Sequence, residues 1–319
     1  MANAALNKVS MLDTLPPAIA IMGPTASGKT ALALQFADHC ACEIISVDSS
    51  LVYRGMNIGT AKPTAATLVN YPHRLLDICD PSERYSVARF RVDALNAMAT
   101  ATANGRIPLC VGGTMLYFKA LQQGLAQLPT ADAGIREALT LEGLRVGWAA
   151  MHRRLMDVDP VAAARIHPND PQRIQRALEV YQVTGIPLTT WLEKAQPQPL
   201  PYRLYKIALA PADRDELHRR IAQRFQQMLA QGLIDEVRQL MARGDLHPQL
   251  PALRAVGYRQ VWAYLAEEYD YATMVTKAVT ATCQLAKRQM TWLRAEPEVH
   301  WYTAAAPEIW ENARLKLGI

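Results

Sequence analysis

The sequence predicts an α/β fold, a doubly wound parallel sheet that is interrupted by a helical insertion. Two observations lead to this prediction. Strand-like and helix-like segments alternate through the first third of the chain, and the alternation then stops between Leu128 and about Trp191, where the composition is helical. Strands that alternate with helices form parallel sheets covered on both faces. The simplest architecture is therefore an α/β core with a helical insertion.

Short apolar runs mark the predicted strands, which are Ala18–Met22, Glu43–Val47, Ile107–Val111 and Leu204–Leu209. Helical patterns and N-cap signals mark the predicted helices, which are Ala31–Ala37, Val87–Ala103, Arg136–Leu144, Trp148–Val158, Pro171–Val183, Asp213 (as N-cap) to Gly232, and Met274–Leu293. The proline-rich run Gln196–Pro201 resembles a linker. The predicted organisation is a tail over residues 1–17, a core over 18–127 and 202–319, and an insertion domain over 128–201.

Composition narrows the function classes. Half of the 319 residues are hydrophobic, which is enough for a sizeable core. No run approaches the ~20 apolar residues of a membrane span, and the N-terminal segment has no continuous apolar signal core. The five cysteines are scattered without a CxxC pair, which favours reduced thiols over disulfides or a zinc site. We expect a cytoplasmic monomer that does not interact with membranes.

The basic residues are unevenly distributed. The net charge is only +5, but Met274 to Arg294 contains four basic residues and no acidic one. Arg136 to Arg224 contains fourteen Lys and Arg against ten Asp and Glu. Such positive regions suit an anionic polymer, although an ordinary solvated helix face has the same composition.

A glycine-rich loop follows the first predicted strand. Its residues Gly23, Pro24, Thr25, Ala26, Ser27, Gly28, Lys29 and Thr30 match the G-x-x-x-x-G-K-T pattern. In such a loop, backbone N–H groups and the N-terminus of the following helix bind phosphate. Lys29 would neutralise phosphate oxygens and the Thr30 hydroxyl would hold Mg²⁺. Thr25 either hydrogen-bonds a ligand or only fills the loop. The sequence thus predicts a phosphate-loop core that binds a diphosphate or triphosphate.

Asp48 comes directly after the second predicted strand. Because the carboxyl ends of parallel strands share one edge of the sheet, Asp48 and the run Gly112-Gly113-Thr114 should lie near the phosphate loop. A carboxylate in this place can bind Mg²⁺, act as a general base, or cap a loop. These three roles remain open from the residues alone.

Two further clusters carry long polar side chains. Arg220 and Arg224 are four residues apart on a predicted helix, so they share one face. That face either clamps a leaving diphosphate or is solvated and pairs with Asp215 and Glu216. The run Gln172 to Arg176 combines amides and guanidiniums that suit hydrogen bonds to the bases and phosphates of a nucleic acid, in which case Arg176→Ala would weaken the affinity for it. From composition alone, an amphipathic helix surface is the better interpretation of that run.

Several motifs occur in a specific order along the chain. They are GPTASGKT (Gly23–Thr30), ISVDSSL (Ile45–Leu51), YRGMNIGTAKP (Tyr53–Pro63), HRLLDICDP (His73–Pro81), YSVARF (Tyr85–Phe90), VGGTMLY (Val111–Tyr117), QRIQR (Gln172–Arg176), RAVGYR (Arg254–Arg259) and KRQMTWLR (Lys287–Arg294). In these motifs the chain resembles the bacterial tRNA dimethylallyltransferases of the tRNA isopentenyltransferase family. The resemblance covers about Ala18 to Arg294.

The resemblance implies a prenyl transfer. The phosphate loop would hold the diphosphate of dimethylallyl diphosphate, with Mg²⁺ near Thr30. Asp48 would take a proton from N6 of the adenosine on the 3′ side of the anticodon in tRNA, while that nitrogen attacks the allylic C1 and diphosphate leaves. Lys29, Thr25, Arg220 and Arg224 would surround the reacting groups. The adenosine would flip out of its stack to reach them.

The resemblance also implies a tRNA-binding set. Its members are Asp48, Ser49, Ser50, Leu51, Thr114, Gln172, Arg173, Ile174, Gln175, Arg176, Arg254, Ala255, Val256, Gly257, Tyr258, Arg259, Lys287, Arg288, Gln289, Met290, Thr291, Trp292, Leu293 and Arg294. The alternatives are a small-molecule or nucleotide kinase that uses ATP in the same loop, and an RNA-binding module without catalysis. Transfer of label from dimethylallyl diphosphate to RNA would separate the three.

Overall fold

A parallel sheet forms the centre of the main part of the molecule. The computed structural model describes residues 14–130, 132–303, 306 and 308–318. Within them the strands are β1 (Pro17–Met22), β2 (Cys42–Val47), β3 (His73–Arg74), β4 (Ile107–Gly112), β5 (Arg203–Leu209) and β6 (Val299–Tyr302). They lie in the order β3-β2-β4-β1-β5-β6, and every pair is parallel. The predicted α/β fold class is confirmed.

Helices cover both faces of this sheet. The helices in the described residues are α1 (Lys29–His39), α2 (Ala65–Asn70), α3 (Val87–Ala103), α4 (Met115–Gln123), α5 (Ala133–Val146), α6 (Trp148–Val158), α7 (Pro160–Arg165), α8 (Pro171–Thr184), α9 (Leu188–Lys194), α10 (Arg214–Ala230), α11 (Leu233–Ala242), α12 (Tyr258–Leu265), α13 (Tyr271–Arg294) and α14 (Glu308–Leu317). Of these, α5 to α9 belong to a separate compact unit, Gln123–Pro199, and do not count among the helices on the sheet. None of these helices is long and apolar enough to span a membrane.

β1 shows why the sheet must be covered on both sides. Its side chains alternate between two hydrophobic cores, with Ala18, Ala20 and Met22 in one and Ile19 and Ile21 in the other. Successive side chains of a strand point to opposite faces, so a strand that is apolar throughout needs packing on each face. The run Ala18–Met22 is apolar without interruption because both faces of β1 are buried.

The predicted strands agree with β1, β2, β4 and β5 to within one residue at each end. The sequence did not predict β3 and β6, which are two and four residues long and lie at the two edges of the sheet. Runs this short carry almost no periodic signal. Pro17 begins β1, so the predicted tail over residues 1–17 is too long at its end, and residues 1–13 lie outside the described part.

The chain divides into two compact units. One contains Met1–Gln122 and Leu200–Ile319, and the other contains Gln123–Pro199. The sequence predicted an insertion over 128–201. The second unit has its own apolar core, to which Leu139, Met151, Leu155, Ile174 and Leu178 contribute. Its described regular elements are helical from α5 to α9.

Candidate active site

A cavity of about 320 Å³ lies where several strands of the sheet end. The phosphate loop follows β1, Asp48 follows β2, and Gly113 follows β4. All three contribute to the lining of the cavity. The carboxyl edge of the parallel sheet therefore brings together residues that are far apart in the sequence, as expected for this class of fold.

The phosphate loop leads directly into α1. Gly28 is the N-cap of this helix and has a φ of +96°, a backbone conformation that side chains with a Cβ rarely adopt. Thr25 to Thr30 line the cavity, whereas the buried Gly23 and Pro24 begin the loop and are not among the lining residues. With no acidic residue in its first turn, α1 directs its free N–H groups and positive dipole end to this loop.

Lys29 supplies a cation to the cavity. Its Nζ donates a hydrogen bond to the carbonyl oxygen of Pro24 at 2.6 Å. Removal from solvent lowers the pKa of Lys29 to about 8, the Asp48 carboxylate opposes this change, and the Arg224 guanidinium adds to it. Three charged groups therefore act on one another in the cavity.

Asp48 lies half-buried in the cavity wall. Its Oδ1 accepts hydrogen bonds from the backbone N–H groups of Ser50 at 2.8 Å and Leu51 at 3.3 Å. These bonds fix the orientation of the carboxylate through a local turn. Both bonds use Oδ1, and no hydrogen bond to Oδ2 is found among the described residues.

Helix α10 lines the cavity with one face. Ile221, Arg224, Phe225 and Met228 lie at positions i, i+3, i+4 and i+7 and all contact the cavity. Burial lowers the pKa of Arg224, and the Asp48 carboxylate opposes the shift. Arg220 is exposed, is not among the lining residues, and pairs with Glu216 on its own helix. The structure thus corrects the predicted two-arginine clamp, because only Arg224 reaches the cavity.

Gln289 joins α13 to the phosphate loop. Its Oε1 accepts the N–H of Thr25 at 2.9 Å, and its Nε2 donates to the carbonyl oxygen of Gly113 at 3.0 Å. Ser49 and Thr114 are linked nearby, since Thr114 Oγ1 accepts the N–H of Ser49 at 3.0 Å. In this structure Gln289 therefore holds two cavity loops together through its amide, and its predicted contact with tRNA stays a prediction.

The predicted tRNA-binding set is divided by burial. The side chains of Ile174, Tyr258 and Leu293 are buried, so a contact of these three with RNA would have to use the backbone. Ala255, Val256 and Gly257 line the cavity. Met290 is half-buried and packs against the larger core. The exposed members remain predictions; they are Ser49, Gln172, Arg173, Arg254, Arg259, Lys287, Arg288, Thr291, Trp292 and Arg294.

In the second unit, two of the predicted RNA-binding side chains have internal partners. Arg176 donates to the carbonyl oxygen of Pro129 at 2.9 Å and pairs at 3.1 Å with Glu179, which is fully buried. Arg136 pairs with the same carboxylate at 2.9 Å. Gln175 donates to the carbonyl oxygen of Arg136 at 2.7 Å. In this structure these contacts give Arg176 and Gln175 a structural role, which changes the expected effect of Arg176→Ala.

Sequence reasoning missed several cavity residues. Their positions are Gly59, Thr60, Ala61, Pro63, His73, Phe225, Met228, Thr282 and Leu285. The spacing of Ile221, Phe225 and Met228 around Arg224 is a helical stripe that was visible in the sequence. His73 has its Nδ1 2.6 Å from the carbonyl oxygen of Tyr71, and burial lowers the pKa of the imidazole. Nothing in its local sequence indicates that β3 places it at the cavity.

Several hydroxyl groups, those of Ser27, Thr30 and Ser46, belong to residues of the cavity lining. Within the described residues, no group of three or more His, Cys, Asp or Glu is arranged to hold a metal ion. Ser27 Oγ and Ser46 Oγ are buried in the cavity lining and have no hydrogen-bond partner in the described structure. Thr30 also lines the cavity. Such a set suits a Mg²⁺ ion that takes most of its ligands from phosphate and water.

The fold and the cavity define a phosphate-loop α/β enzyme, with a carboxylate and two cations around one pocket. Two family models match the chain, "IPP transferase" over residues 51–296 and "Isopentenyl transferase" over 17–77. The chain belongs to the IPP transferase family and is a prenyltransferase. The resemblance found in the sequence motifs is thereby confirmed.

Similar proteins agree with this assignment. The chain is 62% identical over 284 residues to a tRNA dimethylallyltransferase of Thioalkalivibrio sulfidiphilus, which covers 89% of each chain. It is 55% identical to tRNA dimethylallyltransferase 2 of Hahella chejuensis, over 94% of each chain. The crystal structure of the tRNA isopentenylpyrophosphate transferase of Bacillus halodurans is similar with a TM-score of 0.70 and 37% identity, over 95% of this chain and 97% of that one.

Proposed function

We propose that the protein transfers a dimethylallyl group from dimethylallyl diphosphate to N6 of the adenosine on the 3′ side of the anticodon in tRNA, with release of diphosphate. The observation that carries the proposal is the presence in one cavity of a phosphate loop, two cations and a carboxylate. The names of the relatives support tRNA and a dimethylallyl group as the substrates.

The cavity matches a donor that has a charged head and a short hydrocarbon tail. Its lining includes the phosphate loop, Lys29 and Arg224, which carry N–H groups and positive charge. It also includes Val256, Phe225 and other alkyl or aromatic side chains. The polar groups would bind the diphosphate and the apolar side chains would bury the five-carbon chain.

The reaction exchanges one bond for another. The bond between N6 and C1 forms, and the bond between C1 and the bridging oxygen breaks, with its electron pair leaving on diphosphate. Asp48 accepts the proton that N6 loses. This help matters because the lone pair of an adenine amino group is delocalised into the ring. General-base assistance of this kind is worth about 10²- to 10⁴-fold in rate.

The leaving diphosphate gains negative charge as the carbon–oxygen bond breaks. Lys29, Arg224 and the N–H groups at the start of α1 stabilise this charge more in the transition state than in the ground state. Thr30, together with phosphate oxygens, would hold Mg²⁺, which supplies further neutralisation when bound. The Thr25 hydroxyl, which lines the same cavity, would hydrogen-bond the bound substrate.

Transfer of label tests the proposal. The protein is incubated with Mg²⁺, labelled dimethylallyl diphosphate and an anticodon stem-loop, and the nucleosides are analysed by mass spectrometry. We expect label on the adenosine 3′ of the anticodon and none when inosine, which lacks the N6 amine, replaces it. Absence of label together with turnover of ATP would instead indicate a kinase. RNA binding with neither reaction would indicate a non-catalytic module.

A further inference from the structure

Two walls of the cavity come from distant parts of the chain. The loop wall consists of residues 59–61 and 63, which follow Asn57 in the chain. The α12 wall consists of residues 255–257, which precede α12. Neither Glu236 nor Tyr258 is among the lining residues. Both are buried, and both contact the backbone from which the loop wall begins. Both polar side chains therefore contact the backbone of the loop wall without lining the cavity themselves.

Glu236 binds the start of the loop wall through its backbone. Its Oε2 accepts the N–H groups of Asn57 at 2.9 Å and Ile58 at 2.8 Å, and its Oε1 accepts the N–H of Gly59 at 3.2 Å. The same Oε1 accepts the hydroxyl of Tyr258 at 2.5 Å. A buried carboxylate with four donors is held firmly, because the loss of any donor leaves charge without compensation.

Tyr258 connects this carboxylate to the α12 wall. Its hydroxyl accepts the N–H of Gly59 at 3.1 Å while it donates to Glu236. Tyr258 directly follows Gly257, whose N–H is fixed by Gln260 Oε1 at 2.9 Å. One short network therefore joins both walls of the cavity.

The contact between Gly59 and Tyr258 leaves no space for adjustment. A Cβ at position 59 would lie 2.5 Å from Cε2 of the Tyr258 ring. Burial and the Glu236 carboxylate raise the pKa of Tyr258 well above its ordinary value, so its hydroxyl keeps the proton that it donates. The backbone at Gly59 thus packs closely against the Tyr258 ring, and the N–H groups of residues 57–59 donate hydrogen bonds to the Glu236 carboxylate.

We propose that Glu236 and Tyr258 are positioning residues that set the separation of the loop wall from the α12 wall, and so the affinity of the cavity for its prenyl diphosphate. This inference rests on the proposed function. It concerns residues that touch neither the phosphate loop nor Asp48 in the described structure. Their loss would act through the backbone of residues 57–59, which the Tyr258 hydroxyl joins to the chain segment at residues 255–257.

Two conservative variants test the inference. Glu236→Gln keeps the shape but loses the charge, and Tyr258→Phe keeps the ring on Gly59 but loses the hydroxyl. Two matched controls change similar groups outside the cavity lining. Glu296→Gln breaks an ion pair with Lys206 at 3.0 Å, and Tyr205→Phe removes a hydroxyl 3.3 Å from that of Tyr302.

Steady-state kinetics with both substrates give the first readout. We expect Glu236→Gln to raise KM for dimethylallyl diphosphate about 10-fold and Tyr258→Phe to raise it about 3-fold. The first effect is larger because the carboxylate accepts several hydrogen bonds, and hydrogen bonds to charged groups are the stronger ones. KM for the stem-loop should stay within about 2-fold of wild type. Hydrogen exchange of the backbone over residues 57–63 should accelerate in both variants. The controls should change neither quantity, even where they lower Tm equally.

Different results separate the inference from the proposed function. An unchanged KM for the donor in both variants, or equal rises in the two controls, would overturn the inference. If wild type transfers no label, the proposed function fails instead. The affinity of each variant for inorganic diphosphate, together with the exchange of residues 57–63, then decides the inference: reduced affinity with faster exchange supports it, and unchanged values contradict it.

Discussion

The phosphate loop and the Gln172–Arg176 run were both predicted to bind a ligand, the loop from its own pattern and the run from the family resemblance, and their surroundings in the structure differ. Residues of the loop, including Lys29, line a cavity together with Arg224 of α10. In the run, Arg176 and Gln175 are bound to groups of their own unit. Charged side chains indicate a ligand where they line a cavity, and a structural role where they form an ion pair with a buried group of their own unit.

The largest effect on activity should come from removing the Asp48 carboxylate, which lines the cavity beside the phosphate loop. Asp48→Asn keeps an oxygen that can accept the N–H groups of Ser50 and Leu51, but it cannot take a proton. We expect kcat to fall about 10³-fold because general-base help is lost. The affinity for the stem-loop, measured by fluorescence anisotropy, should stay within about 2-fold of wild type, because the variant only replaces one carboxylate by an amide of the same shape. Weakened RNA binding with unchanged kcat would contradict the role given to Asp48.

The two arginines of α10 give the next test. Arg224→Ala should lower kcat/KM for dimethylallyl diphosphate about 10²-fold, because a buried cation beside the leaving group is removed. Arg220→Ala is the matched control on the same face, and its exposed pair with Glu216 should be worth little. Equal losses in the two variants would contradict the assignment of this role to Arg224 alone.

Arg176→Ala tests the structural role of the Gln172–Arg176 run. Removing it leaves the buried Glu179 with Arg136 as its ion-pair partner, which we expect to cost about 2 kcal/mol in the free energy of unfolding. Denaturant unfolding measures this cost. The additional change Glu179→Gln should restore part of it.

Arg173→Ala is the control for that variant. Arg173 is exposed and pairs only with Asp170 in the described structure, so its stability effect should be below about 0.5 kcal/mol. If this face binds RNA, Arg173→Ala weakens stem-loop affinity without unfolding the unit. If Arg176→Ala weakens RNA binding at wild-type stability, the structural interpretation of Arg176 is wrong.

The smallest expected effect is a pH dependence of donor capture. The pKa of Lys29 in the free protein is lowered to about 8, so the ammonium is charged below this pH and neutral above it. Because the charged form binds diphosphate, kcat/KM for the donor should fall about 5- to 10-fold between pH 7 and pH 9. Lys29→Arg, whose guanidinium does not titrate there, should lack this decline.

Each part of the site that the sequence predicted is encoded by a short, continuous segment of the chain. The phosphate loop and Asp48 each follow an apolar run, and the geometry of a parallel sheet brings the ends of such runs together. Arg176 and Glu179 are three residues apart, so their pairing was visible, but the burial of Glu179 depends on helices packing around it. Glu236 lies 177 to 179 residues from the N–H groups that it accepts, and no local pattern encodes that contact.

The most direct measurement follows the oxygen that joins C1 to phosphorus in the donor. Dimethylallyl diphosphate with ¹⁸O at this bridging position is incubated with the protein, Mg²⁺ and the anticodon stem-loop, and the products are analysed by mass spectrometry. Cleavage of the carbon–oxygen bond leaves the ¹⁸O on diphosphate and a dimethylallyl group without ¹⁸O on the adenosine, which is the predicted result. Recovery of ¹⁸O on the dimethylallyl product would show that the phosphorus–oxygen bond breaks, and would contradict alkyl transfer at this phosphate loop.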